Sequence, residues 1–239
     1  HFCNVFCRME LSINDAADVE NRRYLIGSYS ISMFVINYKT TFTAFLKEGA
    51  FLKNYQITEF CHHFLAQHVQ PGDFCIDATA GKGNDTEFLC QLVGSQGRVL
   101  AFDIQQAAID ATNERLFTKG LADIGNAILE SHTNMHLYAE KGTVDCITFN
   151  FGYLPGGDHN LCTHADTSIN AIQTGLSLLK KQGLMSLCIY SGGDTGFEER
   201  DAILHYLKQL DPKQYMVLLS CYYNRPNNPP IPVFVLKLF

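Results

Sequence analysis

The sequence predicts an α/β fold in which a seven-stranded, mostly parallel sheet carries one antiparallel strand near its edge. From about residue 55 onward, short apolar runs alternate with stretches of helical periodicity, which is typical of a parallel sheet covered by helices on both faces. The last two apolar runs have no helix between them, and a direct connection permits only antiparallel pairing. A chain of 239 residues can form one such domain plus an appendage.

Two kinds of pattern define the elements. Apolar residues spaced three and four apart predict helices, and short apolar runs bounded by turn residues predict strands. In order, these patterns predict a helix over 55–68, a strand over 74–78, a helix over 85–93, a strand over 98–103, a helix over 105–119, strands over 127–130 and 144–150, a helix over 166–179, a strand over 184–190, a helix over 198–210, and strands over 215–222 and 233–238. Gly120 is expected to end the third helix, and Lys180, Lys181 and Gly183 the fourth, as C-cap and macrodipole preferences favour.

Composition argues against several classes of protein. A net charge of −6 argues against a protein that coats nucleic acid without specificity, although a local basic patch can still bind RNA. The nine cysteines are scattered without a Cys-x-x-Cys pair, which indicates free thiols in a reducing, cytoplasmic compartment. Asn37 and Lys39 interrupt the apolar segment 25–46, so we expect no membrane partner and no signal peptide.

Residues 1–50 lack the strand–turn–helix rhythm of the remainder. The chain begins with His1, and Met9 or Met33 are alternative starts. We expect this segment to be a weakly ordered extension or an artefact of gene calling rather than a functional arm. The regular domain is accordingly expected over residues 51–239.

Acidic residues end two adjacent predicted strands, and a glycine turn lies between them. Asp77 stands at the tip of the first strand, Gly81 and Gly83 form the turn, and Asp103 ends the second strand. In doubly wound sheets ligands bind beyond the carboxyl ends of the strands, where glycine lets the backbone approach a ligand and the next helix offers free N–H groups. Asp103 follows Gly83 by twenty positions, where a carboxylate can bind both ribose hydroxyls.

This pattern favours S-adenosylmethionine over a dinucleotide. A dehydrogenase would normally show Gly-x-Gly-x-x-Gly, whereas Thr86 stands three positions after Gly83. A carboxylate such as Asp77 is repelled by a pyrophosphate but attracted by the ammonium group of a methionine moiety. The alternative interpretation of Asp77 is an acid at a strand end that caps the next helix.

A second polar segment, Asn-Phe-Gly-Tyr-Leu-Pro-Gly-Gly-Asp at 150–158, follows the fourth predicted strand. It is too rich in glycine for a buried element, and it falls beside the expected cofactor edge. Asn150 offers a carbonyl acceptor for an amine nucleophile, and Tyr153 offers an aromatic wall. An ordinary surface loop is an equally good interpretation from position alone.

Several segments together resemble one known family. They are Asp-Ala-Thr-x-Gly-x-Gly-x-Asp-Thr at 77–86, Phe-Asp-Ile-Gln at 102–105, Ser131-His132, the 150–158 segment, Tyr190 followed by Gly192, and Asn227-Asn228-Pro229-Pro230. In this order, from about residue 51 to the C-terminus, they resemble the class I methyltransferase family long labelled rRNA methylase. The resemblance implies a Rossmann-like sheet and a methyltransferase domain over 51–239. It also implies a tRNA substrate, because members methylate the amine of 5-aminomethyl-2-thiouridine at the wobble position.

The resemblance also assigns roles by motif. It implies that the methionine end of S-adenosylmethionine is held by Asp77, Thr79, Gly81, Gly83, Asn84 and Asp85. Asp103 and Gln105 would hold the ribose and adenosine, and Ser131 and His132 would lie near adenine. The acceptor pocket would be shaped by Tyr153, Leu154, Pro155, Tyr190, Asn227, Asn228 and Pro229. Asn150 and Asp158 are the candidate catalytic residues, which would orient the amine and accept its proton.

Other candidate residues favour no additional site. Cys162, His164 and Asp166 lack enough paired partners for zinc, so we expect no metal. Neighbouring His62 and His63 point apart on a helix, which favours a surface or core role. Tyr222, Tyr223 and Arg225 suit either RNA contact or an ordinary hairpin loop.

Alternative functions remain open on the sequence alone. They are a methyltransferase acting on rRNA or a small molecule, an NAD-type oxidoreductase, and a non-catalytic RNA-binding factor. Some members of the family carry histidines in the Tyr-x-Gly-x segment, but this chain has Ser191 and Gly193, so no catalytic histidine is expected there. The sequence leaves a homodimer open.

Overall fold

The computed structural model describes residues 56–152, 165–191 and 196–239. The expectations for residues 1–50, and the site residues Tyr153, Leu154, Pro155 and Asp158, lie outside these ranges. The helices are α1 (Ile57–His68), α2 (Asn84–Val93), α3 (Gln106–Thr118), α4 (Ala165–Leu178) and α5 (Gly196–Lys208). The strands are β1 (Phe74–Asp77), β2 (Arg98–Asp103), β3 (Gly125–Leu129), β4 (Val144–Phe151), β5 (Leu179–Ile189), β6 (Tyr215–Leu219) and β7 (Ile231–Lys237).

The seven strands form one sheet in the order β3-β2-β1-β4-β5-β7-β6. β1 pairs in parallel with both β2 and β4 at the centre, whereas β7 is antiparallel to β5 and to β6. The predicted fold class is therefore confirmed, and β7 is the reversed strand. Because the chain turns directly from β6 to β7 without a crossover helix, that pair can only be antiparallel.

Alternate residues of the central strands enter two separate cores. On one face, Cys75 packs among residues of α1, α2 and α3 such as Leu65 and Leu89. On the other face, Ile76 packs among residues of α4 and α5 such as Ile172 and Ile203. Successive side chains of a strand point to opposite faces. Because helices cover both faces of the sheet here, every residue of β1 is buried, and those before Asp77 are apolar.

The junction between α4 and β5 differs from the predicted helix end. Lys180, Lys181 and Gly183 lie within β5, which begins at Leu179 directly after α4. Val144 pairs with Leu179 but Cys146 pairs with Leu184, so the intervening residues of β5 bulge out of register. The bulge places Gln182 at a φ of 64°, a left-handed conformation that few non-glycine residues adopt.

The C-terminus of α4 is capped instead by a lysine from the last strand. The Nζ atom of Lys237 donates to the carbonyl oxygen of Leu176 at 3.0 Å and to that of Leu179 at 2.6 Å. A cation at a helix C-terminus satisfies the free carbonyls and complements the helix dipole. No helix in the described parts of the chain has the length and hydropathy needed to cross a membrane.

We expect Lys237→Met to destabilise the protein by about 1–3 kcal/mol, because both carbonyls lose a charged donor that water replaces poorly in a partly buried site. Urea unfolding followed by circular dichroism measures the change. Lys213→Met, at an exposed position before β6, is the matched control and should shift stability by less than about 0.5 kcal/mol. Equal stability of the two variants would show that Lys237 does not cap α4.

Candidate functional site

The carboxyl ends of β2, β1 and β4 lie side by side at one edge of the sheet. Asp77 is in register with Ala101 of β2 and with Thr148 of β4. Asp103 ends β2, and Asn150 lies near the end of β4. Parallel pairing therefore brings together three polar residues that are far apart in sequence, at the edge where doubly wound sheets bind ligands.

Asp77 is fully buried and organises the loop that follows it. Its Oδ1 atom accepts the backbone N–H of Thr79 at 3.2 Å, and its Oδ2 atom accepts the hydroxyl of Thr86 at 2.6 Å. The Thr79 hydroxyl in turn accepts the backbone N–H of Asn150 at 2.7 Å. These bonds tie the end of β1 to the first turn of α2 and to β4.

The backbone conformation and the packing of the turn both favour glycine at position 83. Gly83 precedes α2 in a left-handed conformation with a φ of 72°, and a Cβ atom there would lie 3.0 Å from the Cα of Thr112. Helix α3 supports this turn, because the Thr112 hydroxyl and the Arg115 Nε atom donate to the carbonyls of Gly81 and Lys82. The turn thus leaves the backbone N–H groups at the start of α2 available to a ligand, with Asn84 exposed as the first helical residue.

Asp103 joins the turn to the end of β2. Its Oδ2 atom accepts the N–H of Gly81 at 3.0 Å, and its Oδ1 atom accepts the N–H of Gln105 at 2.9 Å. Both Asp103 and Gln105 are only partly buried. A half-exposed carboxylate held by backbone donors is suited to accept a further pair of hydroxyl hydrogen bonds, as a ribose would provide.

The His132 ring, just after β3, provides an aromatic surface near Asp103. Burial lowers the pKa of His132, although its hydrogen bond to the Ala78 backbone and the Asp103 charge act in the opposite direction. The His132 ring lies edge-on to Phe149 and Phe151. The Ser131 hydroxyl caps the following 3₁₀ turn by accepting the Thr133 N–H at 3.3 Å. A neutral aromatic wall of this kind suits an adenine ring.

Asp85 connects three elements through its two oxygens. Its Oδ1 atom lies 2.6 Å from the Nε2 atom of His62 on α1, and its Oδ2 atom accepts the side-chain amide of Asn150 at 2.7 Å. The prediction of a mere surface or core role for His62 is therefore incomplete. Its partner lies 23 positions away in sequence, and no local pattern on α1 signals that contact.

The pKa values of Asp77 and Asp85 are shifted in opposite directions. Burial raises the pKa of Asp77 to about 7, and the nearby Asp85 carboxylate also raises it. The hydrogen bonds from Thr86 and Thr79 act in the opposite direction and lower it. Burial would also raise the pKa of Asp85, but the hydrogen bond and charge of His62 and the amide of Asn150 lower it. Asp85 is therefore the ionised partner, whereas Asp77 binds a proton readily.

The expected acceptor residues lie toward the other side of Asn150. Tyr190 follows β5, and a Cβ atom on Gly152, whose φ is 140°, would lie 3.0 Å from the Tyr190 Cβ. Asn227 and Asn228 have positive φ angles of 64° and 46° in the loop before β7. Ile231 pairs with Ile189, so this loop emerges beside the end of β5 and Tyr190.

The chain is similar in sequence to known proteins. The sequence matches the family described as "Putative rRNA methylase" over residues 99–236. A protein from Arabidopsis thaliana described as "tRNA (mnm(5)s(2)U34)-methyltransferase, chloroplastic" is 34% identical over 191 residues, which cover 74% of this chain and 67% of that protein. The chain belongs to this family of methyltransferases.

Solved structures agree with this membership. A crystal structure described as a "putative rRNA-methylase" from Clostridium thermocellum is 41% identical and superimposes with a TM-score of 0.74, and the match covers 77% of this chain and 98% of that one. A Streptococcus mutans protein described as "a putative methyltransferase", solved in complex with SAH, is 34% identical with a TM-score of 0.69, and the match covers 76% of this chain and 97% of that protein. The present methyltransferase uses S-adenosylmethionine, and the NAD-type alternative is set aside.

The site itself fits that cofactor. Gly83 packs closely against Thr112 of α3, which holds the turn in place, and the partly exposed Asp103 carboxylate is suited to accept hydroxyl groups. Among the described residues, no cluster of three or more His, Cys, Asp or Glu side chains could hold a metal ion. The residue-by-residue roles at the cofactor site stay predictions.

The methyltransferase should lose stability as the pH rises through the pKa of Asp77. Above about pH 4 the unfolded chain has released the Asp77 proton, whereas the folded protein keeps it until about pH 7. The contribution of this proton to the free energy of unfolding is therefore complete below about pH 4 and is lost as the pH rises through about 7. Relative to Asp77→Asn, the wild type should lose up to about 4 kcal/mol of unfolding free energy between about pH 4 and pH 8.

Denaturant unfolding across this pH range measures the difference. The exposed Asp123→Asn serves as the control and should run parallel to the wild type. Parallel curves for the wild type and Asp77→Asn would mean that Asp77 does not bind the proton.

Proposed function

We propose that this methyltransferase converts 5-aminomethyl-2-thiouridine to 5-methylaminomethyl-2-thiouridine at the wobble position of tRNA. The description of the Arabidopsis relative, 34% identical to this chain, supports a tRNA wobble uridine as the substrate. The orientation of the Asn150 amide is the observation that supports an amine as the methyl acceptor. That relative is described as chloroplastic, so the cytoplasmic location of this chain stays a prediction.

The Asn150 amide is oriented by its charged neighbour. An ionised Asp85 can only accept hydrogen bonds, so the group of Asn150 that lies 2.7 Å from it must be the NH₂. The Oδ1 atom of Asn150 is then left for another donor, and no donor among the described residues supplies one. A neutral primary amine, with two N–H donors and one lone pair, matches this acceptor.

The proposed chemistry follows from that orientation. S-adenosylmethionine supplies a methyl group already activated by its sulfonium. Asn150 would accept one N–H of the amine, which turns the nitrogen lone pair toward the methyl carbon. As the N–C bond forms and the C–S bond breaks, the nitrogen gives a proton to Asp158 or to water, and S-adenosylhomocysteine remains. The protein thus acts mainly by positioning and desolvation.

The proposed cofactor contacts are those assigned by motif, except that Asp77 and Thr79, whose side chains are hydrogen-bonded within the protein, are given a structural role. Asp85, Gly81, Gly83 and Asn84 would face the methionine end, with Thr79 and the buried Asp77 holding the turn in place. Asp103 and Gln105 would bind the ribose, and Ser131 and His132 would border adenine. Tyr190, together with Asn227, Asn228 and Pro229, would border the acceptor. Tyr153, Leu154, Pro155 and Asp158 stay predictions for the same pocket.

The proposal is tested by the nucleosides of tRNA. Mass spectrometry of tRNA from a deletion strain should show 5-aminomethyl-2-thiouridine in place of its methylated form, and the purified enzyme should methylate that tRNA. Loss of a methylated nucleoside from rRNA alone, or of a small-molecule product, would instead favour those substrates. Absence of turnover on hypomodified tRNA would favour a non-catalytic RNA-binding role.

We expect Asn150→Ala and Asp158→Ala to lower the single-turnover rate at saturating tRNA by about 100-fold, within the range for lost proton-transfer and orienting groups. The affinity for S-adenosylhomocysteine should change little, because neither residue is assigned to the cofactor. Asn113→Ala, at an exposed position of α3, is the control and should retain the wild-type rate. Full rates in both variants would remove these residues from the mechanism.

An exposed aromatic residue near the acceptor side suits RNA. Tyr223 is 98% exposed in the loop between β6 and β7, where a ring can stack on an unpaired base. We expect Tyr223→Ala to raise the KM for tRNA by about fivefold to 100-fold, since such stacking contributes about 1–3 kcal/mol, with little change in kcat. Phe117→Ala, which removes an exposed ring from α3, should leave the KM unchanged. Equal KM values for the two variants would exclude stacking by Tyr223.

A further inference from the structure

His62 is placed at the site by packing as well as by hydrogen bonding. Its ring stacks on Phe88 of α2, with centroids 3.9 Å apart and an interplanar angle of 2°. Stacking fixes the plane of the ring and directs its Nε2 atom at Asp85, 2.6 Å away. The side chain of His62 is 23% exposed and that of Asp85 is 16% exposed, so the contact is largely shielded from water.

The ionisation state of Asp85 determines which nitrogen of His62 carries a hydrogen. Burial raises the pKa of Asp85, but the hydrogen bonds from His62 and Asn150 and the charge of His62 lower it by more. The carboxylate is therefore ionised and accepts a hydrogen bond from both neighbours. The Nε2 atom of His62 must therefore carry a hydrogen. The result is a chain of three side chains, His62–Asp85–Asn150, in which each hydrogen bond points toward the central carboxylate.

We propose that His62 is a positioning residue for methyl transfer, which holds Asp85 so that the Asn150 amide presents its carbonyl oxygen to the acceptor amine. This inference rests on the proposed function, since it assigns Asn150 Oδ1 to the amine. Without His62, the Asp85 carboxylate can rotate about its side-chain torsion. The Asn150 amide then loses the fixed acceptor that distinguishes its NH₂ from its carbonyl group.

The surroundings leave the chain little freedom to rearrange. A cavity of about 10 Å³ is bordered by His62, Asp85 and Asn150 together with Thr148 and Cys188, which is room for about one water molecule. A substitution that shortens His62 enlarges this space and admits water to Asp85. Replacement by glutamine keeps an N–H donor near the Nε2 position, so His62→Gln separates the donated hydrogen bond from the imidazole itself.

The kinetic test compares His62→Ala and His62→Gln in the wild type and in the Asn150→Ala variant. His62→Ala should slow single-turnover methyl transfer to hypomodified tRNA about tenfold or more, because a hydrogen bond to a charged group is lost. His62→Gln should recover most of the rate. In the Asn150→Ala variant, His62→Ala should cause no further loss, because residues that act as one unit are not additive.

The controls separate positioning from cofactor binding and from folding. Because Asp85 is also assigned to the methionine end of the cofactor, the rates are compared at saturating S-adenosylmethionine, and calorimetry with S-adenosylhomocysteine measures any change in cofactor affinity separately. His68→Ala, a second histidine of α1, should retain the wild-type rate. If His62→Gln is as slow as His62→Ala, or if the loss multiplies in the Asn150→Ala background, the proposal is overturned.

A second readout does not depend on turnover. In NMR spectra of the protein without ligands, the side-chain amide protons of Asn150 should have similar chemical shifts in the wild type and in His62→Gln. In His62→Ala their chemical shifts should change, and they should exchange faster with water. Unmoved signals in His62→Ala would overturn the proposal even if activity fell. A wild-type enzyme inactive on hypomodified tRNA would instead count against the proposed function, while the amide signals still decide the role of His62.

Discussion

The buried carboxylate of Asp77 is the constraint on which the site depends. It lies at the end of β1 with both oxygens bonded within the protein, to the Thr79 N–H and the Thr86 hydroxyl. A buried acceptor that lost these donors would cost free energy, so the glycine turn and the start of α2 are held in one position. From there Thr79 reaches the end of β4 through the Asn150 N–H. The proposed cofactor side and the proposed acceptor side are thereby both fixed to the end of β1.

Three carboxylates at this edge serve different purposes because their partners differ. Asp77 is fully buried and meets only uncharged donors, so it tends to bind a proton. Asp85 meets His62 and remains ionised. Asp103 is only partly buried and accepts two backbone N–H groups, which leaves it exposed enough to receive a ribose. Environment, rather than residue type, distinguishes the structural carboxylate of Asp77 from that of Asp103, which is proposed to bind ligand.

The sequence allowed the fold and the outline of the site to be predicted where local patterns carry the information. The strand 98–103 was predicted with the bounds that the structure gives β2, and Asp77, Gly83 and Asp103 follow from strand ends and a glycine turn. Long-range contacts were missed. Lys237 caps α4 from 61 positions away, and His62 meets Asp85 across 23 positions. Lys180 and Lys181 suited a helix end by charge, but they lie in the bulge of β5, where the chain is out of register with β4.

The central claim is that Asp103 and the glycine turn form a crevice for the nucleoside of S-adenosylmethionine. Isothermal titration of the folded protein with S-adenosylhomocysteine tests it most directly, with Asp103→Asn beside the wild type. The wild type should bind one equivalent, and the variant about 10-fold to 100-fold more weakly, because a charged acceptor for hydroxyl groups is lost. NAD should produce no heat. An absence of heat from S-adenosylhomocysteine, or equal affinity in Asp103→Asn, would contradict the account.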